Sequence, residues 1–294
     1  MRCSIGVILA TAMASFAFQS CQKQREKAPE ASVVPSADGV PIAYDVHGSG
    51  KPALVFVHGW CCNKTYWDAQ VSSFASMYTV VTIDLAGHGE SGHGRKRYTV
   101  EAFGEDVAAV VNKLNLERVV LVGHSMGGAV ILEAARRLPK RVIGLIGVDT
   151  YQNLEESNTP ERVEEFLKPM REDFHKAAVD FVRGYLFRPT TDSALVEKVV
   201  LDISSASPEV GVSALHELLL YDAKPALEEV RVPIRSINTD GYPTDVEAGR
   251  RLAASFDVTV IPGLSHYVMM EAPEDFNRIL EQDVKTLGGT DGGD

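Results

Sequence analysis

Six short strand-like runs punctuate this chain, at residues 53–57, 79–83, 119–122, 142–148, 234–237 and 258–261, with helical patterns between them; 53–57 and 119–122 are apolar throughout, while the others admit Thr or Gly or, in 234–237, Arg235 and Ser236. Runs this short that are apolar at every position read as strands covered on both faces. Strands separated by helices pair in parallel, because a return in the same direction needs a crossover long enough to hold a helix. The fold class is therefore α/β, a mostly parallel open sheet with helices on both faces. Residues 39–46 read as an opening strand. Helices are expected over 100–114, where Phe103, Val107, Val110, Val111 and Leu114 fall at helical spacing, and over 126–138, 248–256 and 273–287. Residues 151–224 break the alternation with helical segments at 161–170, 173–187, 191–204 and 210–220 and no strand. An insertion that long is expected to serve function, here as a helical lid over the carboxyl ends of the strands. The core is then 33–150 together with 225–287, and 288–294 is a tail.

Composition limits what such a domain does. The 294 residues carry 29 Lys and Arg against 40 Asp and Glu, a formal net charge of −11. An acidic balance argues against nucleic-acid binding, which needs clustered cations to displace counterions. A 45% hydrophobic content excludes a disordered chain.

Residues 1–21 read as an export signal: Arg2, then an uncharged apolar stretch from Ile5 to Phe18, then Gln19-Ser20 before Cys21. That stretch is shorter than the roughly twenty residues a spanning helix needs. A small residue before Cys21 resembles the lipobox of bacterial lipoproteins, although Phe18 and Gln19 replace its usual Leu and small residue. The expected location is periplasmic or outer-membrane, anchored by a lipid on Cys21; a cleaved secreted protein, an uncleaved anchor or mis-assigned start, and an unmodified thiol are the alternatives. The polar stretch 22–32 suits a tether. Cys61 and Cys62 are adjacent, a spacing that disfavours a disulfide between them and leaves no long-range disulfide framework.

Chemistry concentrates in Val119-Val-Leu-Val-Gly123-His124-Ser125-Met126-Gly127-Gly128-Ala129. A buried strand runs into Gly-x-Ser-x-Gly and straight into a helix. A serine at such a corner needs strained backbone angles, and the flanking glycines remove side chains that would clash. Ser125 is the candidate nucleophile, at a helix N-terminus that favours a developing anion. His58-Gly59-Trp60 follows the first buried strand, where an oxyanion loop belongs, so the backbone N–H groups of Trp60 and Met126 are the expected oxyanion donors. His58, Asp84, His88 and Ser91 are assigned structural roles in their turns.

With His-Gly-Trp, Asp84-Leu-Ala-Gly-His-Gly-Glu-Ser91, Gly-His-Ser-Met-Gly-Gly and a late Gly263-Leu-Ser-His266 in this order, the chain resembles the α/β-hydrolase superfamily from about residue 33 to 287. The resemblance implies a Ser–acid–His hydrolase acting mostly on esters of small molecules, with His266 as the base. It leaves the substrate open. The acid departs from the usual pattern, because Tyr242-Pro243 stands where Asp-Pro is common after the next-to-last strand. Asp149, closing the earlier run, is preferred, with Asp240 the competitor. Peptide, lactone or carbon–carbon bond hydrolysis on the same residues, or an inactive binding protein, are the rival readings. No cofactor fingerprint and no zinc-spaced His/Cys cluster is present in the sequence, so neither cofactor nor metal is expected. His175 and His216, in the insertion, are candidates to touch substrate.

Overall fold

The computed structural model describes residues 32–155 and 158–289. Its centre is an eight-stranded sheet in the order β1-β2-β4-β3-β5-β6-β7-β8, formed by β1 (Ser32–Pro35), β2 (Pro41–His47), β3 (Ala53–Val57), β4 (Thr79–Ile83), β5 (Val119–His124), β6 (Val142–Val148), β7 (Ile234–Thr239) and β8 (Phe256–Ile261). The β1–β2 and β2–β4 pairs are antiparallel and every later pair is parallel. All residues of β3 and β5 are buried, as unbroken apolar runs require. Burying side chains such as Leu54 or Phe56 contributes about 1.5–3 kcal/mol each.

The helices, in chain order, are α1 (Asp68–Phe74), α2 (Val100–Lys113), α3 (Met126–Arg137), α4 (Pro160–Glu172), α5 (Phe174–Phe181), α6 (Ser193–Ser204), α7 (Pro208–Leu220), α8 (Lys224–Glu229), α9 (Val246–Leu252), α10 (Val268–Glu271) and α11 (Pro273–Gly288). Helices α4 to α8 form the insertion between β6 and β7, which contains no strand among the described residues.

Several boundaries differ from the sequence expectation, each for a local reason. The opening strand is a hairpin, with β1 paired to β2 across a turn at Gly39, whose φ is +87°. The single helix expected over 173–187 begins one residue late and stops at Phe181. The Asp173 side chain caps α5 by accepting from Lys176 N, and a π-helical turn (Val182–Leu186) follows Phe181. The helix expected over 248–256 ends at Leu252, and Phe256 opens β8 instead. Its ring packs directly over Gly249, which has no side chain to block it. The short helical turn Lys64–Trp67 and α1 were not expected. Their only local signal is Asn63, whose Oδ1 accepts from Thr65 N at 3.0 Å. The signal segment, Cys21 and most of the tether lie outside the described residues, as do 290–294 of the tail.

Candidate active site

β5 ends at His124, and Ser125 occupies the corner before α3 with φ +52° and ψ −118°. That strained conformation is held on both sides: Ser125 N donates to Val148 O at 3.0 Å, and Gly128 N donates to Ser125 O at 2.9 Å. The flanking glycines are required by backbone packing. A Cβ on Gly123 would run into the Gly127 carbonyl, and one on Gly127 would sit 2.6 Å from Val57 O.

Opposite this corner, the loop after β3 presents Trp60. His58 holds it from behind: its Nδ1–H donates to Gly59 O at 2.8 Å and its Nε2 accepts from Leu85 N at 3.1 Å. Burial pushes the His58 pKa down to about 4, so this ring is a neutral brace. The backbone N–H groups of Trp60 and Met126 have no acceptor among the described residues. The indole Nε1–H of Trp60 donates to Gly211 O at 2.8 Å, and the ring meets Phe174 and Phe181 edge-on, tying this loop to the insertion. Asp84 shapes the neighbouring turn by accepting from Lys64 N and Glu90 N, and Ser91 Oγ donates to Asp84 O. Cys61 and Cys62 are free and buried, and desolvation raises the Cys62 thiol to about 12, which keeps it protonated.

Asp149 and Asp240 part company. Asp149 Oδ2 accepts from His266 Nδ1 at 2.6 Å, while its Oδ1 accepts from Thr239 N at 2.9 Å and Thr239 Oγ1 at 3.1 Å. Burial opposes its charge, but the His266 hydrogen bond and charge together with the Thr239 N–H outweigh that cost and hold its pKa below the usual carboxylate value. Asp240 turns instead to Arg188 Nη2, at 2.6 Å, and Gly263 N, at 2.8 Å. With Nδ1–H committed to Asp149, the His266 Nε2 carries the lone pair. No hydrogen bond joins Ser125 Oγ to His266 among the described residues; such contacts commonly tighten only with substrate in place.

Ser125, Asp149, His266, Trp60 and Met126 all line one cavity of about 500 Å³. Its remaining walls are mostly apolar. The apolar part comes from α3 (Ala129, Leu132), the insertion (Phe181, Leu215, Leu218) and Tyr267, while Thr150, Gln152, Asn153 and Tyr242 add polar groups. No Lys or Arg lies among the described lining residues. Of the insertion aromatics, Phe174 is core, and Phe187 stacks on Tyr267. His175 and His216 do not line this cavity; they bond Ser204 O and the Glu164 and Glu217 carboxylates. Among the described residues no cluster of His, Cys, Asp or Glu could hold a metal ion.

Sequence reasoning passed over His124. Its Nε2–H donates to the His266 carbonyl at 2.9 Å, and the two rings lie 4.6 Å apart, so the residue before the corner props the residue opposite it. Burial, and then the neighbouring His266 charge, lower its pKa to about 3; burial, then the His58 charge, does the same for His88. Each folded pKa lies below the ordinary ~6.5, so each ring contributes stability that is complete above pH ~6.5 and is lost as pH falls toward 3, at up to about 1.4 kcal/mol per unit. His88→Gln removes one such contribution. The stability gap between wild type and H88Q, measured by denaturant melts, is expected to narrow from pH 6.5 to pH 4; a constant gap would contradict a neutral buried His88.

A sharp strand–serine–helix corner on a mostly parallel sheet, sharing a cavity with an imidazole backed by a buried carboxylate, defines an α/β-hydrolase-type protein. The model of the alpha/beta hydrolase family matches residues 54–279, and the chain belongs to that family. An uncharacterised protein of Mycobacterium tuberculosis is 36% identical over 122 residues, 42% of this chain and 36% of that protein. The chain thus matches about a third of that relative's length. The 3-oxoadipate enol-lactonase 2 of Acinetobacter baylyi is 27% identical over 85% of this chain and 95% of its own length. Among solved structures, a thermophilic esterase from Thermogutta terrifontis superposes with a TM-score of 0.77 at 25% identity, covering 88% of this chain and all (100%) of that one.

Proposed function

We propose that the protein is a serine hydrolase that cleaves uncharged carboxylic esters of small molecules, lactones included, through an acyl-enzyme. The observation that carries this reading is the Asp149–His266 hydrogen bond of 2.6 Å lining the same cavity as Ser125 at its strained corner. Ser125 Oγ attacks the acyl carbon as His266 Nε2 takes its proton. Asp149 keeps the ring in the tautomer that can accept it and offsets the charge that forms. The free N–H groups of Trp60 and Met126 receive the oxyanion. His266 then protonates the leaving alcohol, and water repeats the sequence on the acyl-enzyme.

The esterase and lactonase relatives support ester cleavage in general, and a lactone is a cyclic ester opened by the same steps. The cavity walls narrow the substrate. Each acyl methylene buried against apolar wall contributes about 0.8 kcal/mol, roughly fourfold in kcat/KM, until the cavity is full. A carboxylate on the acyl chain, as an oxoadipate-type substrate would carry, finds no cationic partner among the described lining residues. On a series of p-nitrophenyl esters we expect kcat/KM to rise through short and medium chains. Half-esters of dicarboxylic acids are expected to react at least about a hundredfold more slowly than uncharged esters of equal length. Equal rates for charged and uncharged partners, or exclusive cleavage of long-chain triglycerides, would overturn this assignment. A fluorophosphonate probe that labels wild type and not Ser125→Ala tests the nucleophile directly. Export and a lipid on Cys21 belong to the same proposal, checked by palmitate labelling of Cys21→Ser against wild type.

A further inference from the structure

Where the usual acid position would fall, Asp240 does something else. Its Oδ1 accepts from Gly263 N at 2.8 Å and from Arg188 Nη2 at 2.6 Å. Arg188 lies just past the π-helical turn of the insertion, and its Nε donates to Leu264 O at 2.9 Å while its backbone N donates to Ser265 Oγ at 2.9 Å. Two residues earlier, Leu186 O accepts from His266 N at 3.1 Å. Thr191 continues the seam: its Oγ1 meets Ser265 Oγ at 2.6 Å and donates to Glu271 Oε1 at 3.0 Å, and Glu271 Oε2 accepts from Ser265 N at 2.7 Å. The segment 263–266, which delivers the imidazole, is thus sewn to residues 186–191 and to the end of β7 at successive backbone and side-chain positions.

We propose that Arg188 and Asp240 form a strap that positions His266, so that the insertion sets the placement of the base as well as the shape of the cavity. The inference rests on the serine-hydrolase reading of His266. At its first residue the loop depends on these two side chains: Gly263 has φ +82° and open space on its Cβ side, so the turn has no packing of its own there. Arg188 and Asp240 side chains are 35% and 44% exposed. An ion pair this exposed adds little to global stability, which leaves geometry as the quantity it controls. The planar guanidinium reaches a carbonyl and a carboxylate at once, and an ammonium cannot reproduce that fork. Arg188 and Asp240 are positioning residues, acting through the loop that carries the base.

The test uses the full-length protein with Arg188→Ala, Arg188→Lys, Asp240→Ala and Asp240→Asn. Two readouts apply: kcat and KM on p-nitrophenyl butyrate, and the downfield proton resonance of His266 Nδ1–H in its bond to Asp149. Displacing the base by a fraction of an ångström to an ångström is expected to lower kcat about ten- to a hundredfold in R188A and D240A, with KM little changed. The downfield proton should broaden in both. D240N keeps the acceptor oxygen for Gly263 and Arg188, so it should restore both the rate and a sharp resonance, while R188K should recover only part. Wild-type kcat with a sharp proton in R188A would overturn the strap. Its failure and that of the hydrolase reading are separable. A protein that cleaves no ester but shows the proton, sharp in wild type and broad in R188A, retains the strap and loses the function. A wild type without the proton loses both.

Discussion

Ser125→Ala is expected to remove ester hydrolysis almost entirely, lowering kcat by about 10⁴- to 10⁶-fold while leaving the fold intact. The size follows from the proposed chemistry: without Oγ no acyl-enzyme forms, and only the oxyanion donors and the cavity act on the substrate. The fold survives because alanine has the same Cβ as serine at φ +52°, so the corner is no more strained than before. Its backbone bonds to Val148 and Gly128 do not involve the hydroxyl. Circular dichroism and thermal melting should match wild type, and the fluorophosphonate probe should not label the variant. Residual hydrolysis within tenfold of wild type would mean that another group attacks the ester.

The second large effect is at the carboxylate. Asp149→Asn is nearly isosteric, and its carbonyl oxygen can still accept from Thr239 N and Oγ1, which now take up Oδ1. The amide nitrogen then faces His266 Nδ1 as a donor. That forces the ring proton onto Nε2, the nitrogen that has to accept from Ser125. A base held in the wrong tautomer, with no anion to offset the imidazolium, costs about 10⁴-fold in kcat. Asp240→Asn should leave the rate near wild type, because Asp240 does not touch the ring and its oxygen contacts survive the change. A reversal of these two results would return the acid to the end of β7 and remove the basis for the reading of the cavity given above.

The architecture was largely legible because the central strands β3 and β5 are written as short, largely apolar runs between turn residues, as burial on both faces requires. The corner was legible for a related reason: glycines at 123 and 127 flank a serine where backbone meets backbone, and no side chain fits. Legibility failed where long-range contacts override local preference. The helix expected to run through Phe256 stops at Leu252 because that aromatic ring finds its place over Gly249 and along the sheet edge. The insertion helix that ends at Phe181 gives way to a π-helical turn. That turn delivers Leu186 O to His266 N, a partner far along the chain, and nothing in the local spacing announces it.

Two carboxylates stood at strand ends, Asp149 and Asp240, and the sequence preferred Asp149 without excluding its competitor. Strand identity and a serine at a glycine-flanked bend are properties of contiguous residues, fixed by apolar pattern and backbone sterics, so the amino-acid order alone determines them. Which oxygen reaches the imidazole depends on how strands and an insertion far apart in the chain come together. Arg188 takes Asp240, Asp149 meets His266 and Thr239, and no Lys or Arg stands among the described lining residues of the cavity. Those pairings are settled by distances between residues remote in sequence, and only the folded molecule sets them.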